Sequence, residues 1–495
     1  MDGAAVLPPR IVVIGGGLTG AAFVLHLLRD HDPAAAITLV EPAATLGAGL
    51  AYSTTDPVHR VNVSASRMSL FSEQPEHFEA WLRARGMPTA DPEGALPDGR
   101  LYPRRALFGR YVQDSLETAI QAARADVRHV RQRATATVPT DAGFQVQMED
   151  GEVLQADLLV LAVSHTSPDL PRFLRGIEGQ AGLVVDPWQQ DALDTLSREG
   201  STLVVGTGLT GCDVIASLRA RGHRGRIIAV SRRGLLPRPR TMQPVAAFGS
   251  FDQAPSRTAL ALLRRVRATV AEATRLCRPW EDVIDALRSQ ARTVWGNLPI
   301  IERQRLLRHL RPFWDVHRFQ SAPQIDRVVR DELASGGLEL LAATPLAVER
   351  RGAGFHVLLH PRGAPASAHV TREVASVVNC TGPGHRSVVE RHSVLRSLHA
   401  AGALQADPMA LGIAVDTRSR VLRPDGDAWE NLFVVGPLAR GTHGELMGLP
   451  QVSLQPREVA TAVAALLPEQ APEQANVRAR SRLPAWPPLP DRSPR

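Results

Sequence analysis

A short apolar run that breaks into glycines constrains this chain more than any other stretch: IVVIGGGLTG, at residues 11–20. Its first four residues are all β-branched and uncharged, which predicts a buried parallel strand. Gly15, Gly17 and Gly20 follow as G-x-G-x-x-G, a spacing that permits a tight turn, close approach of a pyrophosphate and close helix packing. Residues 18–30 continue as a helix and residues 37–40 as the next strand. This order predicts a dinucleotide-binding unit.

An acidic residue completes the pattern. Glu41 ends the second predicted strand, about 20 residues beyond Gly20, where a carboxylate can accept the ribose hydroxyls of a dinucleotide. Residues 11–28, which include the first strand and most of the helix, contain no Lys, Arg, Asp or Glu. By length alone this stretch could be a signal sequence or a membrane span. Its three consecutive glycines and the lack of basic residues before Arg10 argue against both. We therefore expect a cytoplasmic protein with no membrane partner.

The opening pattern recurs at residues 202–211 as TLVVGTGLTG. Gly206, Gly208 and Gly211 repeat the glycine spacing, and a helix and a strand ending near residue 230 follow. This repeat predicts a second dinucleotide-binding unit.

The two copies differ at the strand end. Arg232 stands at the position that Glu41 occupies in the first copy, between Ser231 and Arg233. A hydroxyl and two guanidinium groups suit the 2′-phosphate of NADP(H), which a carboxylate would repel. The alternative, a solvated basic turn, explains the arginines but not their register with Glu41.

Composition limits the other function classes. All 57 basic residues are arginine and the net charge is only +7. The arginines are scattered and lack interleaved aromatic residues, so nucleic acid is not the expected partner. Cys212, Cys277 and Cys380 show no metal-binding or redox spacing, so we expect neither a metal site nor a disulfide framework.

A long polar loop follows the first unit's second strand. Gly49 suits close backbone approach to the dinucleotide, and Asn62 and Met68 are candidates to face the cofactor. An ordinary surface loop is the alternative.

The remaining chain suggests an α/β fold with two dinucleotide-binding domains, the second inserted in the first. We predict a first domain at 1–170, a second at 171–343 with a helical insertion at 244–322, a return to the first domain at 344–467, and a disordered tail at 468–495. Gly382 and Gly436 each follow a short apolar strand and are candidate cofactor contacts. His443 and Glu445, a little further on, are candidates to approach a cofactor ring or substrate.

The chain resembles bacterial FAD/NAD(P)-binding proteins of the YdhS-like group. The resemblance rests on IGGGLTG, GAGLAYSTTDPVHRVNVSASRMS, YPRRALFGRY, GTGLTG, SRRGLLPRPR, VNCTG and GPLARGT, across residues 10–467. Flavin-containing and N-hydroxylating monooxygenases are similar in broad plan. The resemblance implies two Rossmann-like domains, one for FAD and one for NADPH, with Gly15, Gly17, Gly20 and Glu41 on the ADP half of FAD. Pro437 replaces the acid that follows the equivalent of Gly436 in related flavoproteins.

This resemblance implies an oxidoreductase in which NADPH reduces FAD. We expect a monooxygenase that hydroxylates a small molecule, such as an amine nitrogen, with oxygen as co-substrate. An NADPH-dependent flavin reductase or dehydrogenase without oxygen insertion is a second reading. A flavin-containing RNA-binding or scaffold protein is a third.

Overall fold

The computed structural model describes residues 7–163, 166–240, 246–384 and 386–468. By its internal contacts the chain divides into two compact units. The first contains Met1–Ser53, Ser64–Ser164 and Arg386–Arg495, and the second contains Thr54–Val63 and His165–His385. The second is therefore inserted in the first, as predicted. From residue 469 onwards the predicted tail lies outside the described residues.

The first unit is built on a mostly parallel sheet and an antiparallel meander. Its strands are β1 (Arg10–Ile14), β2 (Ala36–Val40), β3 (Asp126–Val130), β4 (Ala134–Thr140), β5 (Gly143–Met148), β6 (Val153–Ala156), β7 (Leu158–Leu161), β17 (Arg420–Leu422) and β18 (Ala428–Val434). The sheet runs β17-β18-β7-β1-β2-β3, and β4-β5-β6 form the meander. β1 is buried from Ile11 to Ile14 and β7 throughout, as expected for strands covered on both faces.

The second unit repeats this plan. Its strands are β8 (Thr166–Pro168), β9 (Leu183–Val184), β10 (Thr202–Val205), β11 (Ile227–Ser231), β12 (Leu338–Arg351), β13 (Gly354–Pro361), β14 (Val370–Val374), β15 (Ser376–Asn379) and β16 (Pro383–Gly384). Seven of them form one sheet, β14-β13-β12-β11-β10-β15-β9, and β8 pairs with β16. β10 lies between β11 and β15 as β1 lies between β2 and β7. The two predicted Rossmann-like units are confirmed.

Helices flank the sheets of each unit. Those of the first unit are α1 (Leu18–Asp30), α2 (Gly49–Tyr52), α3 (His77–Ala84), α4 (Met87–Ala90), α5 (Arg105–Ala122), α13 (Val388–Arg391), α14 (Ser393–Ala400), α15 (Arg440–His443) and α16 (Gln451–Ala464). Those of the second are α6 (Leu209–Ala220), α7 (Ala259–Arg275), α8 (Trp280–Ser289), α9 (Ala291–Asn297), α10 (Ile300–His309), α11 (Arg311–Arg318) and α12 (Pro323–Ser335). In the part of the chain that the structure describes, no helix is long and apolar enough to cross a membrane.

The predicted insertion at 244–322 contains five helices among its described residues, α7 to α11, after an irregular stretch at 246–258. It has a hydrophobic cluster of its own, in which Phe251 and Val283 are fully buried. Phe248 and Trp314 pack against this cluster from its edge. The insertion therefore has its own small core instead of lying loosely on the sheet.

The second unit extends further than the sequence predicted. β12 runs unbroken through residue 344, its first half parallel to β11 and its second half antiparallel to β13. β15 then pairs with β10 in the same sheet. The boundary predicted at 343/344 falls inside one continuous strand, and the second unit ends at His385 instead.

The long polar loop after Glu41 contributes one segment, Thr54–Val63, to the second unit. Arg221 donates to Asp56 Oδ2 over 2.5 Å. The buried His59 contacts Thr54 and Ser217, with Nδ1 2.8 Å from the threonine hydroxyl and Nε2 3.0 Å from the serine hydroxyl. The segment is therefore part of the folded second unit.

We expect Asp56→Asn to destabilise the second unit by about 1–3 kcal/mol at pH 7, because it removes the charge from a largely buried ion pair. Burial raises the pKa of Asp56, but hydrogen bonds from Arg221, Val58 and Ser217 outweigh it and hold the pKa below its ordinary value. A lowered carboxyl pKa stabilises the fold above its unfolded-state value and is lost as the pH falls through the folded-state value. Thermal melts of both proteins should therefore converge as the pH falls through that range.

Asp194→Asn is the matched control. Asp194 pairs with the same arginine, but its side chain is 51% exposed, against 8% for Asp56. Its replacement should cost less than about 1 kcal/mol. Equal losses in the two variants would contradict the role given to Asp56.

Candidate functional site

The first glycine turn joins β1 to α1 and lies against the end of β7. Gly15 has φ +105°, and a Cβ atom there would lie 2.5 Å from the carbonyl oxygen of Ala162. A Cβ atom at position 20 would lie 2.0 Å from the oxygen of Gly15. Neither position can hold a larger residue without moving the backbone. The turn thus brings the chain close to the sheet, and α1 begins directly after it at Leu18. The backbone N–H groups at the N-terminus of α1 have no partners within the helix.

Glu41 directly follows β2 and lies beside this turn. Its Oε2 accepts the Gly16 N–H over 3.0 Å and its Oε1 accepts the Ala43 N–H over 3.0 Å. A carboxylate has about four acceptor positions, so both oxygens can accept further hydrogen bonds. This geometry suits two neighbouring ribose hydroxyls.

A second loop approaches the same turn. Gly49 has φ +52° and opens α2, and a Cβ atom there would lie 3.2 Å from the Cα of Gly17. The two backbones are therefore in contact with no side chain between them. The approach of Gly49 to the dinucleotide stays a prediction.

The second glycine turn repeats the first. Gly206 has φ +111°, and a Cβ atom there would lie 2.3 Å from the carbonyl oxygen of Cys380, at the end of β15. A Cβ atom at position 211 would lie 2.2 Å from the oxygen of Gly206. Gly208, in contrast, has nothing within 4 Å of such an atom. Open space beside the middle glycine is what an approaching pyrophosphate requires.

The strand end beside the second turn carries Ser231, Arg232 and Arg233. Thr207, within the turn, donates to the oxygen of Leu235 over 2.6 Å, and its hydroxyl lies 2.8 Å from that of Ser231. Ser231 Oγ also accepts the Gly234 N–H over 3.0 Å. The Ser231 hydroxyl therefore braces this turn, a role for Thr207 and Ser231 that the motif alone does not indicate.

The two arginines are placed differently from Ser231. Arg232 is exposed and, among the described residues, has no ion-pair partner. Arg233 lies over the ring of Phe313, with Cζ 4.9 Å from the ring centroid. Both arginines thus come directly after β11, next to the turn that the Thr207 and Ser231 hydroxyls stabilise.

Gly382 lies in the second unit, and not with the first domain to which the sequence assigned its strand. It has φ +86° and follows β15, whose last residue, Asn379, is fully buried. Asn379 Nδ2 donates to the oxygen of Val185 over 3.2 Å, and its Oδ1 accepts from Thr381 Oγ1 over 2.8 Å. The glycine turn after β15 is thus held from inside its own unit.

Gly436 packs against the first turn of α1, in the first unit. It has φ +92°, and a Cβ atom there would lie 2.7 Å from Cγ2 of Thr19. Its N–H donates to Oε1 of Gln455 over 2.9 Å. Gln455 is fully buried in α16, and sequence reasoning missed it because nothing local marks a glutamine as a loop support.

The remaining candidates occupy interior or partly covered positions. Met68, His443 and Glu445 are buried in the first unit, and His443 Nε2 lies 2.9 Å from the Ser419 hydroxyl. Asn62 is half-buried and belongs to the segment Thr54–Val63 of the second unit. A flavin or substrate contact by any of the four stays a prediction.

The residues of each turn fit a dinucleotide. Both turns have glycines where any Cβ atom would meet backbone, and both open a helix whose N–H groups can bind phosphate. They differ in charge at the neighbouring strand end, Glu41 in one case and Arg232 in the other. One turn thus suits a ribose with free hydroxyls and the other a ribose bearing phosphate.

The comparisons with known proteins agree with this geometry. Residues 12–166 match a family described as FAD-NAD(P)-binding. No curated protein gives a significant sequence match.

Several solved structures share the fold over nearly their whole length. An ornithine hydroxylase from Pseudomonas aeruginosa in its reduced form is 14% identical, with 93% of this chain and 99% of that chain covered and a TM-score of 0.63. An ornithine N-hydroxylase from Kutzneria sp. 744, with reduced FAD, NADP+ and L-ornithine, is 15% identical, with 93% and 100% covered and a TM-score of 0.60. An L-lysine 6-monooxygenase from Pseudomonas syringae is 18% identical, with 92% and 98% covered and a TM-score of 0.58. The chain thus has the two-domain fold of FAD- and NAD(P)-binding oxidoreductases.

Proposed function

We propose that this protein is an FAD-dependent, NADPH-using monooxygenase that hydroxylates a small molecule, with an amine nitrogen as the acceptor. The observation that carries the proposal is the pair of complete glycine turns with opposite charge at the neighbouring strand ends. One turn has the carboxylate of Glu41 and the other has Arg232 and Arg233. A chain with two such sites can hold an electron donor and a flavin at the same time.

The residues divide between the two cofactors as follows. Gly15, Gly17, Gly20, Glu41 and Gly49 would hold the ADP half of FAD. Gly206, Gly208 and Gly211 would receive the pyrophosphate of NADPH, with Arg232 and Arg233 on its 2′-phosphate. Bound FAD would supply the redox chemistry that links NADPH oxidation to oxygen. The overall reaction consumes substrate, oxygen, NADPH and a proton, and gives hydroxylated substrate, water and NADP+.

The choice of hydroxylation over simple reduction draws on the structural comparisons. The three solved structures named above are a hydroxylase, an N-hydroxylase and a monooxygenase, and their names specify ornithine or lysine. Their amine chemistry supports a primary amine as the first substrate class to test. The competing function is an NADPH-dependent flavin reductase without oxygen insertion.

The decisive experiment follows flavin absorbance and product together. The purified protein is reduced anaerobically with NADPH and then mixed with oxygenated buffer containing L-ornithine, L-lysine or a simple diamine. We expect loss of flavin absorbance on reduction, followed by one equivalent of hydroxylamine product for each NADPH with one of these amines. One equivalent of hydrogen peroxide for each NADPH, whichever amine is present, would instead support the reductase. No loss of absorbance would contradict use of NADPH.

The 2′-phosphate assignment predicts a selective loss of NADPH binding. Replacing both Arg232 and Arg233 with alanine should raise the KM for NADPH about ten- to hundred-fold, because two charge-assisted contacts are removed. The KM for NADH should change by less than about two-fold, since NADH has no 2′-phosphate. Steady-state flavin reduction with each cofactor measures both values.

Arg224→Ala is the matched control for that pair. Arg224 is an exposed arginine of the same unit, paired with Glu199 and located before β11, not at its end. Its loss should leave both KM values unchanged. An equal rise for NADPH and NADH in the double variant would contradict recognition of the 2′-phosphate.

A further inference from the structure

Helix α11 of the insertion is hydrogen-bonded through its backbone to the chain that leaves β11. The N–H of Arg238 donates to the oxygen of Val316 over 2.9 Å, and the N–H of Ser321 donates to the oxygen of Arg238 over 3.2 Å. Pro239 and Ser321 also form a parallel β-bridge. The position of α11 is therefore fixed relative to the strand end that carries Arg232 and Arg233.

Side chains strengthen this connection. Arg240 donates to Oε1 of Gln320 over 3.0 Å and to Asp285 over 2.9 Å, on α8 of the same insertion. At the same C-terminal end of α11, His317 packs edge-on against Trp280, with ring centroids 5.0 Å apart. The C-terminal end of the helix is thus held within its unit, and Phe313 lies about one turn before that end.

Phe313 lies on an exposed face of α11. Its side chain is 41% exposed although α11 packs beside a hydrophobic cluster, so burial does not explain the residue. Its ring lies under the guanidinium of Arg233, 4.9 Å from Cζ to the centroid. An arginine over an aromatic face is attracted by the ring quadrupole and loses part of its rotational freedom.

This arrangement leaves the polar edges of Arg233 available. Within the described part of the chain, no carboxylate forms an ion pair with Arg233 or Arg232. Asp315, two residues after Phe313 on α11, pairs instead with Arg311, with 3.4 Å between its Oδ2 and the arginine Nε. A guanidinium that stacks by its face, and that no described carboxylate pairs with, can bind a phosphate through its N–H groups.

We infer that Phe313 is a positioning residue for NADPH selectivity: its ring holds Arg233 at the end of β11, so that the helical insertion completes the 2′-phosphate site. The inference rests on the proposed function, because it assumes that the second glycine turn binds NADPH. It gives a role to FWDVHRF, residues 313–319, which no part of the nucleotide-binding pattern requires.

The test uses two small ligands and the full-length protein with its flavin bound. Calorimetry measures the dissociation constants of adenosine 2′,5′-bisphosphate, which has the 2′-phosphate, and of 5′-AMP, which lacks it. The variants are Phe313→Leu, which keeps an apolar side chain without a π face, and Phe313→Trp, which restores one. Thermal melts confirm that each variant is folded.

We expect Phe313→Leu to weaken the bisphosphate about two- to five-fold and to leave 5′-AMP unchanged. Phe313→Trp should return the bisphosphate to its wild-type affinity. Equal weakening of both ligands, or no change in either, would overturn the positioning role while the 2′-phosphate site itself remained supported. Failure of the wild-type protein to prefer the bisphosphate over 5′-AMP would overturn the proposed NADPH site and this inference with it.

Discussion

Gly208→Ala is expected to leave the protein folded and to remove most of its affinity for NADPH. The residue has φ −77°, which alanine adopts without strain, and nothing lies within 4 Å of the added methyl group. That open space is where the pyrophosphate would approach the turn, so the methyl group should obstruct the ligand and not the fold. Overpacking of about 1–3 kcal/mol would raise the dissociation constant of NADPH about five- to hundred-fold.

The measurement is NADPH titration of the flavin-loaded variant, with thermal melting beside it. Gly176→Ala is the matched control, because Gly176 belongs to the same unit and also has nothing within 4 Å of an added Cβ atom. It should change neither property. Wild-type NADPH affinity in Gly208→Ala would contradict the placement of the pyrophosphate at this turn.

Gly15→Ala is expected to act on the fold and on FAD together. Its φ of +105° is unfavourable for alanine, and the new Cβ atom would lie 2.5 Å from one backbone atom of Ala162 and 2.8 Å from another. Strain and overpacking each cost about 1–3 kcal/mol, so the free energy of unfolding should fall by more than about 3 kcal/mol. We expect protein with little or no flavin, measured as the ratio of visible flavin absorbance to protein absorbance.

Gly86→Ala separates the two effects. Gly86 also has a positive φ, +65°, but nothing lies within 4 Å of an added Cβ atom. It should cost about 1–2 kcal/mol for the backbone conformation alone and keep its flavin. Full flavin content in Gly15→Ala would show that the turn tolerates the methyl group, against the contacts with Ala162.

The nucleotide-binding pattern was predictable because its signals are local. A β-branched run, three spaced glycines, a helix and a second apolar strand lie within residues 11–40, and the structure confirms β1, α1 and β2 there. The same spacing placed Glu41 at the end of β2, and the structure has it there. Steric demands of a few neighbouring residues decide such features.

The domain boundary was not predictable by the same means. An apolar strand such as β15 has no residue that specifies which parallel sheet it joins, and its partner β10 lies far away in the chain. β12 changes from parallel to antiparallel partners without a break, so no turn residue marks the change. Long-range pairing decided both.

The candidate site shows the same division. Alignment of the two glycine motifs placed Arg232 at the position equivalent to Glu41. It could not show that Arg233 stacks on Phe313, which belongs to the helical insertion. Nor could it show that His443 would be buried beside Ser419, since a histidine in a polar loop has the same local pattern whether it faces a ligand or the core.

The membership of Thr54–Val63 in the second unit affects how this protein can be dissected. A recombinant fragment cut at residues 165 and 385 would leave this peptide behind. Arg221 would keep the exposed Asp194 and lose the largely buried Asp56, and the Ser217 hydroxyl would lose the imidazole that covers it. Autonomous production of the second unit therefore requires grafting residues 54–63 onto the fragment or supplying them in trans as a synthetic peptide.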